Sequence, residues 1–123
     1  MDTDQLIEEI KKFAIEIYRE LGAGYEEAIY EEAMAIELRN KNIPYEIERN
    51  TEVFYKGTKV GINRLDFIVD GKLVVELKAQ NSITKSHEGQ TRSYLKSMNL
   101  RKGLIVNFPY PDKDEPDFQK ITL

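Results

Sequence analysis

The stretch from residue 64 to residue 80, RLDFIVDGKLVVELKAQ, constrains the fold of this chain more than any other. It consists of two apolar runs, which are typical of β-strands, on either side of an Asp-Gly turn signal. Asp66, Glu76 and Lys78 interrupt these runs. Because a charge inside a sheet is costly to bury unless it is paired or holds a metal, the stretch predicts either a solvated face or a charged site.

Side chains alternate along a strand, so Glu76 and Lys78 share one face of the second strand. The opposite face is wholly apolar and consists of Leu73, Val75, Leu77 and Ala79. If Asp66 joins the charged face, two carboxylates and an ammonium group lie together. If it does not, the Glu76–Lys78 pair is an ordinary solvated ion pair. The turn between the two strands decides between these outcomes.

The turn permits two registers with opposite consequences for Asp66. In a two-residue turn at 70–71, Asp66 would point to the apolar face, because a shift of one residue exchanges the faces of a strand. In a three-residue turn that ends in a left-handed Gly71, Ile68 would pair with Lys72, and Asp66 would join the charged face. The sequence Val-Asp-Gly-Lys suits the three-residue turn. We therefore predict that Asp66 lies beside Glu76.

Two carboxylates and a lysine on one face suit the hydrolysis of phosphate esters. Carboxylate oxygens are the hard ligands that Mg²⁺ prefers, with water or phosphate oxygens in the remaining positions. Bound Mg²⁺ lowers the pKa of its water and stabilises charge on a phosphoryl group. Lys78 could orient that water or neutralise the developing negative charge. A solvated face remains the alternative interpretation of the same residues.

The rest of the chain predicts helices and further strands around this hairpin. Apolar residues recur at helical spacing over 3–21, where Thr3 is the expected N-cap and Gly22 the expected stop. Further helices are expected at 25–40 and 84–98, and strands at 45–55, 58–69, 72–79, 102–108 and 118–122. The order predicts an α/β (α+β) fold in one domain over 1–123, with helices flanking a central mixed sheet. The helix before the fourth strand suits a parallel crossover.

Composition excludes several classes of protein. The chain has no cysteine, which rules out disulfides, thiolate zinc sites and cysteine-held iron–sulfur clusters. The net charge of -4 argues against coating nucleic acid by bulk charge, although it allows an enzyme that meets nucleic acid at one site. No apolar run approaches the roughly 20 residues of a membrane span. Residues 1–12, MDTDQLIEEIKK, have acids and a helical pattern, which is not the pattern expected of a signal peptide. We expect a cytoplasmic protein without membrane association.

Three motifs, found in the expected order, resemble a known family. Asp66 followed by Glu76-Leu77-Lys78 resembles the core of the PD-(D/E)XK nucleases, in which a strand Asp precedes E-x-K on the next strand. The segment GYEEAIY at 24–30 reads as G-x-x-E-x-x-Y and resembles the opening of the GxxExxY proteins, a branch of that superfamily. The segment QTRSY at 90–94 matches the Q-x-x-x-Y motif of its exonuclease-like branch.

The resemblance covers about residues 5–121. It implies a restriction-endonuclease-like αβββαβ core with an extra N-terminal helix. It also implies a metal-dependent nuclease that acts on nucleic acid, DNA foremost, with Mg²⁺ as the cofactor and Mn²⁺ able to substitute. A homodimer is expected from size alone, because one small domain offers little surface to grip a duplex. The alternative is a non-cleaving module on the same fold that binds nucleic acid or protein.

The resemblance also assigns roles to individual residues. Asp66 and Glu76 would bind the metal together with the backbone carbonyl of Leu77, and Lys78 would position the attacking water. Glu27 would be a third acidic group, bound to the metal directly or through water.

Two residues of the third predicted helix, Gln90 and Tyr94, would contact the nucleic acid. Each assignment has a plainer alternative: Glu27 could serve the helix dipole, and Tyr94 could be a core residue. His87 is expected to pack or to form hydrogen bonds, and Tyr30 to be structural. Gly24 is expected to start the second helix, and Arg64 to lie opposite Glu76.

Overall fold

Three helices and five strands make up the part of the chain described by the computed structural model, which covers the backbone of residues 1–123 and all side chains except those of 48, 49 and 63–65. The helices are α1 (Thr3–Leu21), α2 (Glu27–Asn40) and α3 (Lys85–Met98). The strands are β1 (Tyr45–Tyr55), β2 (Thr58–Val69), β3 (Leu73–Lys78), β4 (Lys102–Asn107) and β5 (Asp117–Thr122). The predicted mixed α+β fold is confirmed, and the predicted bounds are correct to within two residues.

The five strands form one mixed sheet in the order β1-β2-β3-β4-β5. β3 and β4 are parallel, whereas the other neighbouring pairs are antiparallel. The chain returns from the end of β3 to the start of β4 through α3, which confirms the predicted parallel crossover. This connection places the end of β3 next to the start of α3, so residues from both elements can meet at one edge of the sheet.

The sheet lies between two helical layers, each with its own apolar core. On one side, α1 and α2 pack against the face that carries Leu73, Val75 and Leu77, as predicted for the apolar face of β3. On the other side, α3 packs through Tyr94 and Leu95 against a smaller cluster that includes Val74, Ile105 and Ile121. Glu76 and Lys78 belong to this second face by strand alternation, so the charged residues of β3 face α3.

The N-cap of the first helix lies one residue before the predicted cap. Asp2 is the N-cap of α1: its Oδ1 accepts a hydrogen bond from the Gln5 N–H at 2.8 Å, and Gln5 Oε1 accepts one from the Asp2 N–H at 2.9 Å. The prediction of Thr3 as the cap was wrong, because Asp2 and Gln5 have the spacing of a capping box. Gly22 ends the helix, as predicted. No helix among the described residues is long and apolar enough to span a membrane.

Gly24 does not cap α2, contrary to expectation. The N-cap is Glu26, and Gly24 lies two residues earlier with a φ of 96°. A side chain at position 24 would also contact the ring of Tyr110, whose Cε2 would be 3.7 Å from the added Cβ. That distance is an ordinary van der Waals contact, so glycine serves the loop before α2 through its positive φ.

The hairpin of β1 and β2 extends well beyond the rest of the sheet. Pairing within the hairpin continues to Tyr55 and Thr58, whereas β2 pairs with β3 only over 67–69. Large apolar side chains are exposed on its outer part, namely Phe54, Tyr55, Val60 and Ile62. The inner end of β2 carries Asp66, so the hairpin starts at the charged site and projects away from it.

Candidate active site

The register of β2 and β3 brings Asp66 to Glu76. Val69 pairs with Leu73, and the same register continued to the next positions along both strands sets Asp66 opposite Glu76. The predicted outcome, with both acids on one face, is therefore confirmed. The predicted pairing of Ile68 with Lys72 is wrong, since Ile68 pairs with Val74.

The turn differs from the predicted one because two of its residues are left-handed. Asp70 has a φ of 52° and Gly71 a φ of 65°, and the Lys72 N–H donates to the Val69 carbonyl at 3.0 Å. Asp tolerates this conformation. Lys72 therefore belongs to the loop, and the first pair of the hairpin is Val69 with Leu73 instead of the predicted Ile68 with Lys72. Arg64 was expected opposite Glu76, but its side chain lies outside the described residues.

Asp66 and Glu76 are joined through the backbone of each other's strand. Glu76 Oε1 accepts a hydrogen bond from the Asp66 N–H at 3.1 Å. Asp66 Oδ2 accepts one from the Leu77 N–H at 2.8 Å. These bonds fix both carboxyl groups between the strands at the point where regular pairing of β2 and β3 ends. The two acids therefore form a rigid pair.

Glu76 is an unusual residue for the interior of a sheet, since only 3% of its surface is exposed. Burial and, after it, the negative charge of Asp66 together raise the pKa of Glu76 to about 9. The Asp66 N–H and the charge of Lys78 act in the opposite direction. In the absence of a cation, the pair therefore retains a proton at neutral pH, because both carboxyl groups cannot be charged so close together.

Lys78 follows Glu76 by two residues on β3 and is held by α3. Its Nζ donates a hydrogen bond to Gln90 Oε1 at 3.3 Å. The structure thus brings together two of the residues that the sequence motifs singled out on separate elements. Gln90 itself is exposed, so its side chain remains accessible from solvent.

Tyr94 lies one helical turn after Gln90 and is buried in the α3 cluster. Burial raises the pKa of Tyr94 to about 12, and the charges of Glu76 and Asp66 raise it as well. The phenol is therefore neutral and close to the acid pair, with only 5% of the residue exposed. The buried position of Tyr94 agrees with the alternative that it is a core residue. It also places a hydroxyl group near the two acids.

Glu27 approaches the same site from the opposite helical layer, at the first residue of α2. Burial raises its pKa, while the charge of Lys78 and the backbone N–H of Ala79 lower it and the charge of Asp66 raises it. These influences place the Glu27 carboxyl group close to the end of β3. Among the described side chains, no group of three or more His, Cys, Asp or Glu residues is arranged to hold a metal.

His87 has a structural partner within α3. Thr84 Oγ1 accepts a hydrogen bond from the His87 N–H at 3.2 Å, and His87 Nδ1 accepts one from the Thr84 N–H at 3.1 Å. This reciprocal cap confirms Thr84 as the start signal of α3 and agrees with a hydrogen-bonding role for His87. Tyr30 is also structural: it is fully buried, donates to the Gly22 carbonyl at 2.7 Å and stacks on Phe108.

One polar residue of the site was not recognised in the sequence. Asn107, which pairs with Lys78 at the end of the parallel strands, is fully buried. Its Oδ1 accepts from the Gln80 N–H at 2.9 Å, and its Nδ2 donates to the Gln80 carbonyl at 2.8 Å and to Asp117 at 3.1 Å. Asn107 therefore fixes the chain just after Lys78. The sequence signal that could have identified Asn107 is its position as a polar residue at the end of the otherwise apolar run in β4.

The residues present fit a small divalent cation. Two carboxyl groups lie side by side and hold a proton in place of a cation, and their oxygens are the hard donors that Mg²⁺ and Mn²⁺ prefer. A cation between them would allow both to be charged. The buried position of Glu76 is otherwise unfavourable for a charged carboxylate, because the Asp66 N–H and the charge of Lys78 do not offset burial and the charge of Asp66.

Comparison with known proteins gives two results. The profile of the PD-(D/E)XK nuclease superfamily matches residues 4–121, which is nearly the whole chain. Among solved structures, the crystal structure of SSO0001 is similar, with a TM-score of 0.60 and 22% sequence identity. The similarity covers 77% of this chain and 48% of that chain, so this chain spans about half the length of SSO0001. No curated protein matches the sequence.

Proposed function

The chain belongs to the PD-(D/E)XK nuclease superfamily, and we propose that it is a metal-dependent nuclease that hydrolyses phosphodiester bonds of nucleic acid, DNA foremost. The observation that carries this proposal is the buried Glu76 carboxyl group beside Asp66, followed by Lys78 on the same strand. Within the superfamily we assign the chain to the GxxExxY branch, on the segment at 24–30.

Asp66 and Glu76 would hold Mg²⁺, with Mn²⁺ as a substitute and the backbone carbonyl of Leu77 as a further ligand. Glu27 would bind the cation directly or through water, which its electrostatic interaction with Asp66 supports. When bound, the cation would supply an acidified water and stabilise negative charge on the phosphoryl group.

The chain's own residues have distinct tasks in this proposal. Lys78 would hold the attacking water in line and neutralise charge that develops on the phosphate. Gln90 would position Lys78, since it accepts a hydrogen bond from the ammonium group. Tyr94 carries a neutral hydroxyl group near the acids and could donate to a phosphate oxygen. The product would carry a 5′-phosphate, as is usual in the superfamily.

The direct test is cleavage by purified protein. Single-stranded and duplex DNA and RNA would be incubated with Mg²⁺ or Mn²⁺, beside the Asp66→Asn and Lys78→Ala variants. We expect each variant to lose activity by at least about 100-fold. Asp70→Asn is a matched control, because Asp70 lies on the same hairpin but in the turn, next to Lys72. Equal cleavage by wild type and by both site variants would refute the assignment.

A second candidate is the non-cleaving binding module. Titration with Mn²⁺ discriminates between the two candidates: binding that is lost in Asp66→Asn supports the nuclease, and no binding by wild type supports the module.

The setting that we propose for the activity is the cytoplasm, where nucleic acid and Mg²⁺ are both available. We also propose a homodimer, on the basis that one chain of 123 residues presents little surface to a duplex. Sedimentation of the protein alone and with a short duplex would measure the number of chains in each case, and a single chain per duplex would exclude the dimer.

A further inference from the structure

Two adjoining clefts open beside the acid pair. One has a volume of about 450 Å³ and the other about 550 Å³, and Ala79 and Gln80 form their common wall. Glu27, whose carboxyl group is close to Asp66 and Lys78, lines the second cleft. Each volume lies within the roughly 300–1,000 Å³ that holds a small ligand. The second cleft therefore reaches the site through Glu27, the first adjoins it through the shared wall, and each is large enough for one unit of a polymer chain.

Each cleft carries one exposed tyrosine. Tyr25 lines the second cleft with 43% of its surface exposed, and Tyr110 lines the first with 59% exposed. Two exposed aromatic rings beside a candidate active site favour the binding of a flat ligand, because covering an exposed ring with another flat group lowers the free energy.

Both tyrosines are anchored by their surroundings. The ring of Tyr25 meets the ring of Tyr30 edge-on, with centroids 6.1 Å apart, and Tyr30 in turn stacks on Phe108 at 4.1 Å. The Tyr110 N–H donates to the Gln80 carbonyl at 3.2 Å, and its ring lies against Gly24. The rings therefore need little ordering when a ligand binds, which favours affinity.

The charge of the second cleft decides which part of a nucleotide it accepts. Glu26 and Glu27 both line it, and their carboxylates would repel a phosphate group. The positive charge of Lys78 acts on Glu27, and Lys78 lies on β3 with the acid pair. A phosphate therefore belongs at the acid pair and Lys78, whereas a flat, neutral group belongs between the tyrosines.

We propose that Tyr25 and Tyr110 form a base-stacking subsite that holds an unpaired nucleobase next to the phosphate at Asp66 and Glu76. This inference rests on the proposed nuclease function and makes its substrate specific. A base inside a duplex is already stacked on its neighbours, so a subsite of this kind selects single-stranded or locally unpaired nucleic acid.

Binding tests the subsite separately from cleavage. In an Asp66→Asn background with Mg²⁺, single-stranded oligonucleotides with 2-aminopurine at successive positions would be titrated, because stacking quenches this fluorescent base. We expect Tyr25→Ala and Tyr110→Ala each to weaken binding about tenfold and to relieve the quenching at one position. Tyr25→Phe and Tyr110→Phe should bind as well as the parent, since stacking needs only the ring.

Tyr55→Ala is the matched control, because Tyr55 is 62% exposed but lies at the end of the β1–β2 hairpin. Unchanged binding and quenching in the two alanine variants would overturn the subsite, even if the wild type cleaves DNA. Position-specific quenching that depends on both tyrosines would support the subsite even if the wild type cleaves nothing, in which case the nuclease proposal alone fails. No binding by any form would overturn the subsite, and cleavage of duplex and single-stranded substrates by the wild type would then decide the nuclease proposal separately.

Discussion

The Asp66 N–H donates to Glu76 Oε1 at 3.1 Å, so the backbone of one acid holds the side chain of the other. The bond is matched by the one from the Leu77 N–H to Asp66 Oδ2 at 2.8 Å. The pair is therefore built by the two strands before any ligand arrives. Its energetic consequences can be measured in the metal-free protein.

The stability of the metal-free protein is expected to fall as the pH rises. Unfolded Glu76 ionises near its ordinary pKa of 4.5, whereas the folded residue has a pKa raised to about 9 by burial and by Asp66. Between these values the folded state keeps a proton that the unfolded state has lost, so the free energy of unfolding declines across that window. Urea unfolding in EDTA from about pH 5 to about pH 9 measures it.

Glu76→Gln should remove most of this decline and should be more stable than wild type at the alkaline end. Glu20→Gln, which changes an exposed acid at the end of α1, should keep the wild-type slope. A wild-type free energy of unfolding that stays constant or rises across the window would contradict the burial argument.

Divalent cations are expected to stabilise the fold through the same pair. Mg²⁺ at about 100 times its dissociation constant should add about 2.7 kcal/mol to the free energy of unfolding at neutral pH. The gain should vanish in Asp66→Asn and persist in Asp70→Asn. Urea unfolding with and without Mg²⁺ measures both, and an equal gain in Asp66→Asn would place the cation elsewhere.

Gln90 is expected to act by positioning Lys78. Gln90→Ala should lower the rate of single-turnover cleavage about tenfold, because Lys78 loses the acceptor that orients its ammonium group. Gln90→Glu keeps an acceptor at this position and should restore most of the rate. Arg92→Ala, an exposed change on the same helix, is the control. A failure of Gln90→Glu to recover activity would show that the Lys78 contact is not what matters.

The packing of α3 on the sheet depends on the absence of a side chain at Gly103. A Cβ there would lie 2.9 Å from Thr91 Cγ2 and 3.4 Å from the Val74 carbonyl oxygen. Gly103→Ala should therefore destabilise the fold by about 1–3 kcal/mol, as overpacking of a core does.

Thr91→Ser removes the methyl group but keeps the hydroxyl that donates to the His87 carbonyl. The double variant should therefore recover part of the stability lost in Gly103→Ala. Urea unfolding of the two single variants and the double variant gives the coupling energy. Simple additivity of the two changes would show that this contact is not the cause.

Much of the fold follows from local patterns in the sequence. The apolar spacing of α1 and the alternation in β3 each arise from neighbouring residues that face one core, so both elements could be predicted with the correct inner face. The turn at 70–72 was harder to predict, because Asp tolerates positive φ and the sequence Val-Asp-Gly-Lys is compatible with more than one turn type. The face of Asp66 was nevertheless correct, since the true and predicted registers differ by an even number of residues.

Only part of the candidate site could be predicted from the sequence. The Asp66–Glu76 pair could be anticipated because one turn determines it. The approach of Glu27 to the end of β3 depends on how α2 crosses the sheet, which no local pattern encodes. The same holds for Asn107, whose partners Gln80 and Asp117 come from a loop and another strand. Roles in catalysis remain predictions for all of these residues.

The two acids are separated by ten positions in the chain. Closing so short a loop costs little conformational entropy, so the contact can form as soon as the hairpin closes, before distant segments arrive. Glu27 and Gln90 come from helices on either side of the hairpin and are added only when the whole fold assembles. The acid pair is thus specified by one short segment of the chain, whereas the residues around it depend on how the helices pack.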